Sequence, residues 1–419
     1  MEKIVVNGGK KLEGECKIQG SKNASLPIIG ATMLSSGENI LHMCPMLRDT
    51  ETACKILQLL GCKTNWQEDA LIINSSGLCN NEISKNLMNQ MRSSIIFLGA
   101  ILARCGEARV YFPGGCDIGS RPIDLHIDAL KKMGVDVNEC GGQLDCKVNG
   151  NRMHGAEIFL SFPSVGATEN ILLAAVTAKG KTVINNAAVE PEIEDLCNYL
   201  NKCGAKIVGG GTQIIQIDGV DSLKPCEYTI MPDRIVAATL LCGVAATGGE
   251  IFLKSVNAGN LSSVLPVLSD MGCRVRVFGK SIFLKAKDFL FAPKQPIRTM
   301  PYPGFPTDLQ PIMMALSCFA EGTTIFVETI FENRFRHVPE LKRLGASIRV
   351  EGRVAVVEGS RELRGACVYG TDLRGGAALI VAGLAAMGRT EIFRLCYVDR
   401  GYEKIEEQFS ELGANIFRI

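Results

Sequence analysis

The stretches LQLLGCKT (57–64) and LKKMGVDV (130–137) share a pattern close to apolar-x-x-apolar-Gly-x-x-apolar, and the pattern recurs along the whole chain. Consecutive glycines of this pattern are 68 to 73 residues apart, and such regular spacing indicates an internal repeat. Each glycine stands where the C-terminal cap of a helix is expected, and a strand-like segment follows it. The six glycines are Gly61, Gly134, Gly204, Gly272, Gly345 and Gly413.

A second glycine marks each copy about 25 residues earlier, after an apolar segment rich in Ala and Gly. Examples are LPIIGATMLSSG, IIFLGAILARCG and LIVAGLAAMG. These segments are apolar on every face, which is typical of helices that are buried at the centre of a domain and packed closely on one another. Each copy therefore predicts a buried helix, a strand, a more amphipathic helix and two further strands. The expected class is α/β (α+β), with sheets that enclose helices.

Six copies in 419 residues indicate two domains of three copies, because the chain is too long for one ordinary core. The natural boundary lies near residue 230, before the fourth buried helix. Residues 1–21 contain two strand-like segments, IVVNG and CKIQG, without a preceding helix. We therefore predict one domain of residues 22–229, which carries the Cys116 loop described below, and a second domain of residues 1–21 and 230–419.

Composition argues against several classes of function. A formal net charge of +1 gives no electrostatic signature of binding to nucleic acid or to a membrane surface, and the longest apolar runs are too short to span a bilayer. The four histidines and 17 cysteines form no metal-ligand motif, so no metal site is expected. No GxGxxG opens a helix after the first strand, which disfavours a dinucleotide-binding oxidoreductase. The start lacks the features of a signal peptide, and we expect a cytoplasmic protein with free thiols.

Polar side chains stand at the start of the buried helix in every copy. Converging helix N-termini pool backbone N–H groups and positive dipole ends, a setting suited to phosphate and carboxylate. Basic residues oppose that dipole, so an anionic ligand is one reason for their presence. The alternatives are solvated charges at a domain rim and, for the aspartates, ordinary helix capping. The residues singled out at these helix starts, including the apolar Val165 and Gly166 beside Ser164, are Lys22, Asn23, Arg92, Ser164, Val165, Gly166, Asp233, Arg234, Asp308, Asp372 and Arg374.

The segment YFPGGCDIGSRPIDLH (111–126) is interpreted as a reactive loop. Its glycines and prolines favour irregular backbone, and the nearby Arg121 would favour the thiolate of Cys116. The plain alternative is that Cys116 is a small buried hydrophobe, like most cysteines. Two further arginines, Arg334 in FENRFRHVPEL and Arg400 in VDRGYE, offer planar donors that fit phosphate or carboxylate in two-point contact.

These motifs resemble, from end to end, those of the UDP-N-acetylglucosamine 1-carboxyvinyltransferases of the enolpyruvyl transferase family. The motifs that carry the resemblance are SKNASLP, MRSS, PGGCDIGSRPIDLH, PSVGAT, PDRI, FPTDLQ, ENRF, TDLR and DRGYE, in this order. The resemblance implies two inside-out α/β barrel domains, with residues 1–21 in the C-terminal domain and the active site in the cleft between the domains. It implies transfer of the enolpyruvyl group of phosphoenolpyruvate to the 3′-hydroxyl of UDP-N-acetylglucosamine, with release of phosphate. No metal, organic cofactor or obligate protein partner is expected.

By the same resemblance, Cys116 would be the acid and adduct-forming residue, and the site of alkylation by the epoxide fosfomycin, while Asp308 would take the proton of the attacking hydroxyl. Residues implied for phosphoenolpyruvate are Lys22, Asn23, Arg121, Arg400 and Arg374. Residues implied for the UDP-sugar are Arg92, Arg121, Pro122, Ile123, Asp124, Leu125, Ser164, Val165, Gly166, Asp308 and Ile330. Arg334, Asp372, Asp233 and Arg234 would support them.

Phe162 departs from the family pattern, because many relatives carry lysine two residues before the SVG motif; contacts to uridine near residues 162–165 are therefore open. Two alternatives stay open as well. One is 3-phosphoshikimate 1-carboxyvinyltransferase, the sister enzyme, which is not expected to carry the Cys116 loop. The other is a non-catalytic paralogue that binds a UDP-sugar.

Overall fold

Helices and strands alternate along the chain in the predicted order. The computed structural model describes residues 2–114, 118–119, 122–360 and 362–419. The α-helices of this part are α1 (Lys22–Ala31), α2 (Arg48–Leu59), α3 (Lys85–Gln90), α4 (Phe97–Cys105), α5 (Asp124–Lys132), α6 (Val165–Ala175), α7 (Pro191–Lys202), α8 (Arg234–Ala246), α9 (Leu265–Asp270), α10 (Gln310–Ser317), α11 (Val338–Arg343), α12 (Leu373–Ala385) and α13 (Ile405–Glu411). The strands are β1 (Lys3–Asn7), β2 (Glu13–Lys17), β3 (Glu38–His42), β4 (Lys63–Gln67), β5 (Ala70–Asn74), β6 (Glu107–Tyr111), β7 (Val135–Cys140), β8 (Gln143–Val148), β9 (Glu157–Phe159), β10 (Lys181–Asn185), β11 (Lys206–Val208), β12 (Ile214–Asp218), β13 (Glu227–Thr229), β14 (Glu250–Lys254), β15 (Arg274–Phe278), β16 (Ser281–Lys285), β17 (Leu290–Phe291), β18 (Ile297–Arg298), β19 (Ala320–Glu321), β20 (Thr323–Val327), β21 (Ser347–Glu351), β22 (Val354–Glu358), β23 (Cys367–Tyr369), β24 (Arg389–Phe393) and β25 (Asn415–Arg418).

The repeat glycines adopt the left-handed backbone conformation that ends a helix. The φ angle is 101° at Gly61 and 86° at Gly134, and it lies between 91° and 104° at the four later glycines. A side chain with a Cβ is disfavoured at such angles, so glycine is the residue that lets the chain leave the helix and enter the next strand. The helix ends predicted from the repeat are confirmed at all six positions.

Each copy builds one small sheet from its own strands. In the first copy, β3 pairs antiparallel with β5, and β5 pairs antiparallel with β4. Strand β13, from the C-terminal end of the N-terminal unit, adds in parallel to β3. The copies that contain β10, β14, β20 and β24 repeat this parallel addition with β9, β2, β18 and β23.

The last sheet is completed by the first strand of the chain. Strand β1 lies between β24 and β25 and is antiparallel to both, with Val5 opposite Glu391 on one side and Phe417 on the other. In the other copies this central position belongs to the second strand of a hairpin, such as β5. The chain therefore supplies the sixth copy with its central strand from the opposite end of the sequence.

Contacts divide the described residues into two compact units. Residues 20–114 and 122–231 form the N-terminal unit; residues 2–19, 118–119, 232–360 and 362–419 form the C-terminal unit. Each unit has one hydrophobic core, built around α1, α4 and α6 in the first and α8, α10 and α12 in the second. Sheets surround these buried helices, so the predicted inside-out arrangement is confirmed.

Glycine permits the close approach of the buried helices. A Cβ at Gly99 in α4 would lie 2.3 Å from the carbonyl oxygen of Asn170 in α6, and a Cβ at Gly243 in α8 would lie 2.5 Å from the ring of Phe409. Both distances are far below van der Waals contact. The Ala/Gly-rich composition that identified these helices in the sequence thus has a direct packing cause.

Candidate active site

The C-terminal unit places one carboxylate between two buried guanidinium groups. Asp308 lies in the 3₁₀ turn Thr307–Leu309 that precedes α10. Its Oδ1 is 3.3 Å from Nη2 of Arg334, and its Oδ2 is 2.9 Å from Nη2 of Arg374. Both arginine side chains are 2% exposed, whereas that of Asp308 is 29% exposed. The carboxylate is therefore held at an accessible edge by cations that lie behind it.

Arg334 is fixed by contacts along the rest of its guanidinium. Nε and Nη2 donate to the carbonyl oxygen of Thr307, at 3.1 and 2.9 Å, and Nη1 lies 3.6 Å from Oδ1 of Asp372. Burial alone would raise the pKa of Asp372, but Arg334 and the hydrogen bonds to that carboxylate lower it below its ordinary value. His337 is fully buried nearby; its burial lowers its pKa to about 4, so the ring is neutral near pH 7.

Arg374 is a buried cation, and two of its guanidinium nitrogens, Nε and Nη1, have no acceptor among the described residues. Its guanidinium carbon is 5.4 Å from the ring centre of Tyr402, whose hydroxyl is 2.9 Å from Oγ1 of Thr239. Burial acts to lower the pKa of Arg374, but Asp308, Tyr402 and Asp233 together outweigh it and the net shift is upward, so the charge persists. No described residue accepts a hydrogen bond from Nε or Nη1. Such a group suits an anionic ligand, which could fill these donors.

At the starts of α8 and α12 in the same unit, an aspartate caps the N-terminus of the helix. Oδ1 of Asp233 accepts from the N–H groups of Ile235 and Val236, at 2.8 and 3.0 Å. Asp372 accepts in the same way, at 3.1 Å from the N–H groups of both Arg374 and Gly375. The capping interpretation is therefore correct for Asp233 and Asp372.

The remaining predicted residues of the C-terminal unit lie on separate local structures. Arg234 is 7% exposed, with its guanidinium 5.6 Å from the ring centre of Tyr302. The N–H of Ile330 donates to Oε1 of Glu328 at 2.8 Å. Arg400 ends the 3₁₀ turn Val398–Arg400 and is half-buried.

In the N-terminal unit, Lys22 begins α1 and is paired with an acid. Its Nζ is 2.8 Å from Oδ2 of Asp49, and the two side chains are 11% and 2% exposed. The alternative of solvated charges at a rim is thus wrong for Lys22 and for Arg374. Sequence reasoning did not identify Asp49 as a partner of Lys22. The signal that could have identified it is its position in the first turn of α2, after Arg48. Asn23 follows Lys22 and is half-buried.

Arg92 and the residues after the Cys116 loop lie in the same unit. Arg92 begins the 3₁₀ turn Arg92–Ile96, and its Nη1 donates to the carbonyl oxygen of Pro113 at 2.7 Å. Beyond the loop, Asp124 is the first residue of α5, and Pro122, Ile123 and Leu125 flank it. Cys116 and Arg121 lie outside the described residues, so their predicted roles remain predictions.

The start of α6 carries a polar contact that the sequence did not reveal. Ser164 caps the helix by accepting from the N–H of Ala167 at 3.3 Å, and Val165 and Gly166 form its first turn. The neighbouring ring of His126 is buried, with Nδ1 3.0 Å from Nδ2 of Asn170, and burial lowers the pKa of His126 to about 4. Phe162 is 46% exposed and lies two residues before the cap.

Two buried acids, one on α6 and one on α7, are not marked by any of the sequence motifs. Glu169 in α6 is 5% exposed, and burial raises its pKa well above the ordinary value. Asp195 in α7 accepts from the hydroxyl of Tyr228 at 2.7 Å and from the N–H of Met231 at 3.2 Å, and burial raises its pKa to about 6. A glutamate inside the otherwise apolar run ATENILLAA was the available signal for Glu169.

The described part of the chain contains neither a candidate metal cluster nor a candidate membrane-spanning helix. Among those residues, no three His, Cys, Asp or Glu side chains are grouped so that they could hold a metal ion. No helix formed by them has the length and apolar character needed to cross a bilayer.

The family model and the similar proteins that match this chain are all carboxyvinyltransferases. The family model described as EPSP synthase (3-phosphoshikimate 1-carboxyvinyltransferase) matches residues 6–409. The UDP-N-acetylglucosamine 1-carboxyvinyltransferase 2 of Caldanaerobacter subterraneus subsp. tengcongensis is 48% identical over 425 residues, and the alignment covers 100% of both chains. The UDP-N-acetylglucosamine 1-carboxyvinyltransferase of Halothermothrix orenii is 47% identical over 419 residues, again with 100% of both chains covered.

Solved structures share the fold over the whole chain. The crystal structure of the enolpyruvyl transferase NikO from Streptomyces tendae matches with a TM-score of 0.87 and 25% identity, and covers 100% of this chain and 98% of that one. EPSP synthase from Acinetobacter baumannii matches with a TM-score of 0.78 and 19% identity, with 100% and 99% covered. The predicted fold class is confirmed by both.

Proposed function

Since the chain belongs to the EPSP synthase (3-phosphoshikimate 1-carboxyvinyltransferase) family of enolpyruvyl transferases, we propose that it transfers the enolpyruvyl group of phosphoenolpyruvate to the 3′-hydroxyl of UDP-N-acetylglucosamine. The reaction releases phosphate and is the first committed step of peptidoglycan precursor synthesis. Support comes from full-length relatives of this name at 45–48% identity. In this proposal the protein works in the cytoplasm and contributes to cell wall biogenesis, cell shape and cell division.

The observation that carries the proposal is the carboxylate of Asp308 between the guanidinium groups of Arg334 and Arg374. Both proposed substrates are polyanions, and a buried guanidinium with unfilled donors favours binding of an anion. A carboxylate beside that cation can accept a proton from a neutral hydroxyl as the hydroxyl attacks. The cluster thus combines anion binding and proton transfer at one place.

We further propose that both predicted domains supply binding residues. Those for phosphoenolpyruvate are Lys22, Asn23, Arg121, Arg374 and Arg400. Those for the UDP-sugar are Arg92, residues 121–125, residues 164–166, Asp308 and Ile330. The ion pair of Lys22 with Asp49 supports this proposal, because it holds a buried ammonium group at the N-terminus of α1.

The chemistry proceeds by addition and elimination. An enol phosphate becomes electrophilic at C2 when its methylene carbon is protonated, so a positioned acid is needed; we assign this role to Cys116. The 3′-hydroxyl oxygen bonds to C2, and Asp308 takes the hydroxyl proton. The tetrahedral intermediate then loses phosphate from C2 and a proton from the methyl carbon, which restores the double bond. Cationic side chains stabilise the charge that builds on the departing phosphate.

A phosphate-release assay with each acceptor tests the substrate. Phosphate should appear with phosphoenolpyruvate and UDP-N-acetylglucosamine, and not with phosphoenolpyruvate and shikimate 3-phosphate. Turnover with shikimate 3-phosphate alone would overturn the proposal in favour of the sister activity, for which the description of the family model is the specific reason. Turnover with neither acceptor, by a protein that still binds the UDP-sugar, would indicate a non-catalytic paralogue.

Variants test the two assigned reacting groups. Asp308→Ala should abolish turnover, whereas Asp270→Ala, at an exposed position in the same unit, should leave turnover unchanged. Intact-mass analysis after treatment with fosfomycin should show one adduct on the parent and none on Cys116→Ser. An adduct that persists on Cys116→Ser would refute the assignment of Cys116.

A further inference from the structure

Two thiols that the proposed reaction does not use lie in contact in the N-terminal unit. The Sγ atoms of Cys203 and Cys226 are 3.3 Å apart. Cys203 is 3% exposed, while Cys226 is half-buried and reachable from solvent. Both are free thiols in the structure. This pair is a local feature of the fold, and nothing in its geometry depends on the substrates proposed above.

The main chain around the two cysteines is held in place by hydrogen bonds. Oδ1 of Asn39, a fully buried residue, accepts from the N–H of Cys226 at 3.0 Å and from the hydroxyl of Tyr199 at 2.9 Å. Tyr199 lies one helical turn before Cys203, at the end of α7. The N–H of Lys224 donates to the carbonyl oxygen of Cys203 at 2.8 Å. The sulfur contact therefore belongs to two fixed segments, and the sulfurs need only a small movement to reach the S–S bond length of about 2.05 Å.

The local electrostatics give the two sulfurs different roles. The hydrogen bond between the two thiols, helped by Lys202, lowers the pKa of Cys226 although burial opposes this. The same hydrogen bond, together with burial, raises the pKa of Cys203. The accessible sulfur is thus the better nucleophile, and the buried sulfur keeps its proton until a disulfide forms beside it.

We propose that Cys203 and Cys226 form a reversible disulfide site that is oxidised by a low-molecular-weight disulfide. The thiolate of Cys226 attacks one sulfur of the small disulfide and expels one small thiolate, which leaves a mixed disulfide on Cys226. The sulfur of Cys203 then attacks the Cys226 sulfur, passes its proton to the second small thiolate and expels it. The protein loses two electrons and two protons, and the small disulfide becomes two small thiols.

The test uses the native full-length protein and glutathione disulfide. Samples are quenched with acid, remaining thiols are alkylated, and the protease digest is analysed by mass spectrometry. The parent should yield a peptide pair joined through Cys203 and Cys226, lighter by two hydrogen atoms and separated again by dithiothreitol. Cys140, which is exposed at the end of β7, provides the reference for a surface thiol and should carry glutathione.

Two variants separate the steps. In Cys203→Ala, Cys226 should accumulate as the glutathione mixed disulfide, because the resolving thiol is gone. In Cys226→Ser, Cys203 should stay reduced, because it is buried. The proposal is overturned if Cys226 of the parent remains reduced, or keeps glutathione without crosslinking, once Cys140 is fully modified. A Cys203 that reacts as fast in Cys226→Ser as in the parent would overturn the assigned order of attack.

Discussion

Replacing Asp308 with asparagine should destabilise the C-terminal unit, because two buried guanidinium groups would lose their shared counter-charge. Removing one partner of a buried ion pair costs about 3–5 kcal/mol. Arg334 would keep Asp372 at 3.6 Å and the carbonyl oxygen of Thr307, so Arg374 bears most of the loss. The Asp308 side chain is 29% exposed, which screens part of the interaction. We therefore expect the free energy of unfolding to fall by about 3 kcal/mol, the lower end of that range.

A double-mutant cycle isolates the pair. Arg374→Met keeps much of the aliphatic volume and removes the charge, and leaves Asp308 beside Arg334. In Asp308→Asn with Arg374→Met, neither half of the 2.9 Å pair remains. The double variant should therefore be more stable than the sum of the single losses predicts, by at least about 1 kcal/mol.

Chemical denaturation followed by far-UV circular dichroism measures these differences. Trp66, the single tryptophan, lies on β4 and reports the N-terminal unit, which contains neither substituted residue. Single-variant losses that add within about 0.5 kcal/mol would refute the reasoning, because independent sites behave that way. Phosphate release supplies the second reading: Arg374→Met should restore stability to Asp308→Asn without restoring turnover.

Three further predictions use burial and packing. Burial raises the pKa of Asp195 from 3.8 to about 6, so its contribution to stability is present at low pH and is lost as the pH rises from about 4 to about 6. The free energy of unfolding of Asp195→Asn, measured by urea denaturation, should therefore rise relative to that of the parent by up to about 3 kcal/mol between pH 4 and pH 7. His337 has its pKa lowered from 6.5 to about 4, so stability should fall as pH drops through that window, and His337→Gln should reduce this slope. Gly99→Ala should lower the free energy of unfolding by about 1–3 kcal/mol in thermal or urea unfolding, because the new Cβ would clash with Asn170. Gly30→Ala is the control: no side chain lies nearer than 3.8 Å to its Cβ, so this variant should be as stable as the parent or more stable. Equal effects of the two substitutions would contradict the packing argument.

The repeat could be predicted from sequence because it rests on local conformational rules. Glycine is favoured at φ near 100°, and a helix buried on all sides needs apolar residues on all faces. Both constraints act within a few residues, so they leave a pattern at fixed spacing. The sheet position of β1 has no such local signature. It depends on pairing with β24 and β25, nearly the full chain length away.

Pairing of charges was the part of the site that sequence reasoning could not supply. The sequence shows Lys22 and Arg374 as basic residues at helix starts, but it leaves solvated charge open as an alternative for both. Their burial follows from the meeting of α1 with α2 and of α12 with the Asp308 turn; the paired residues are 27 positions apart for Lys22 and Asp49, and 66 for Asp308 and Arg374. The ion pairs also give these cations a partner within the protein, so a basic residue at a helix start does not by itself require an anionic ligand.

The three aspartates at the helix starts of the C-terminal unit looked equivalent in sequence, and one proline distinguishes them. An N-cap carboxylate accepts from the N–H groups two and three residues ahead, as Asp233 and Asp372 do. Three residues after Asp308 the chain has Pro311, which has no N–H to donate. The carboxylate of Asp308 is turned instead towards Arg334 and Arg374. A proline at this position therefore marks the aspartate whose oxygens remain for cations and, in the proposed reaction, for the substrate hydroxyl.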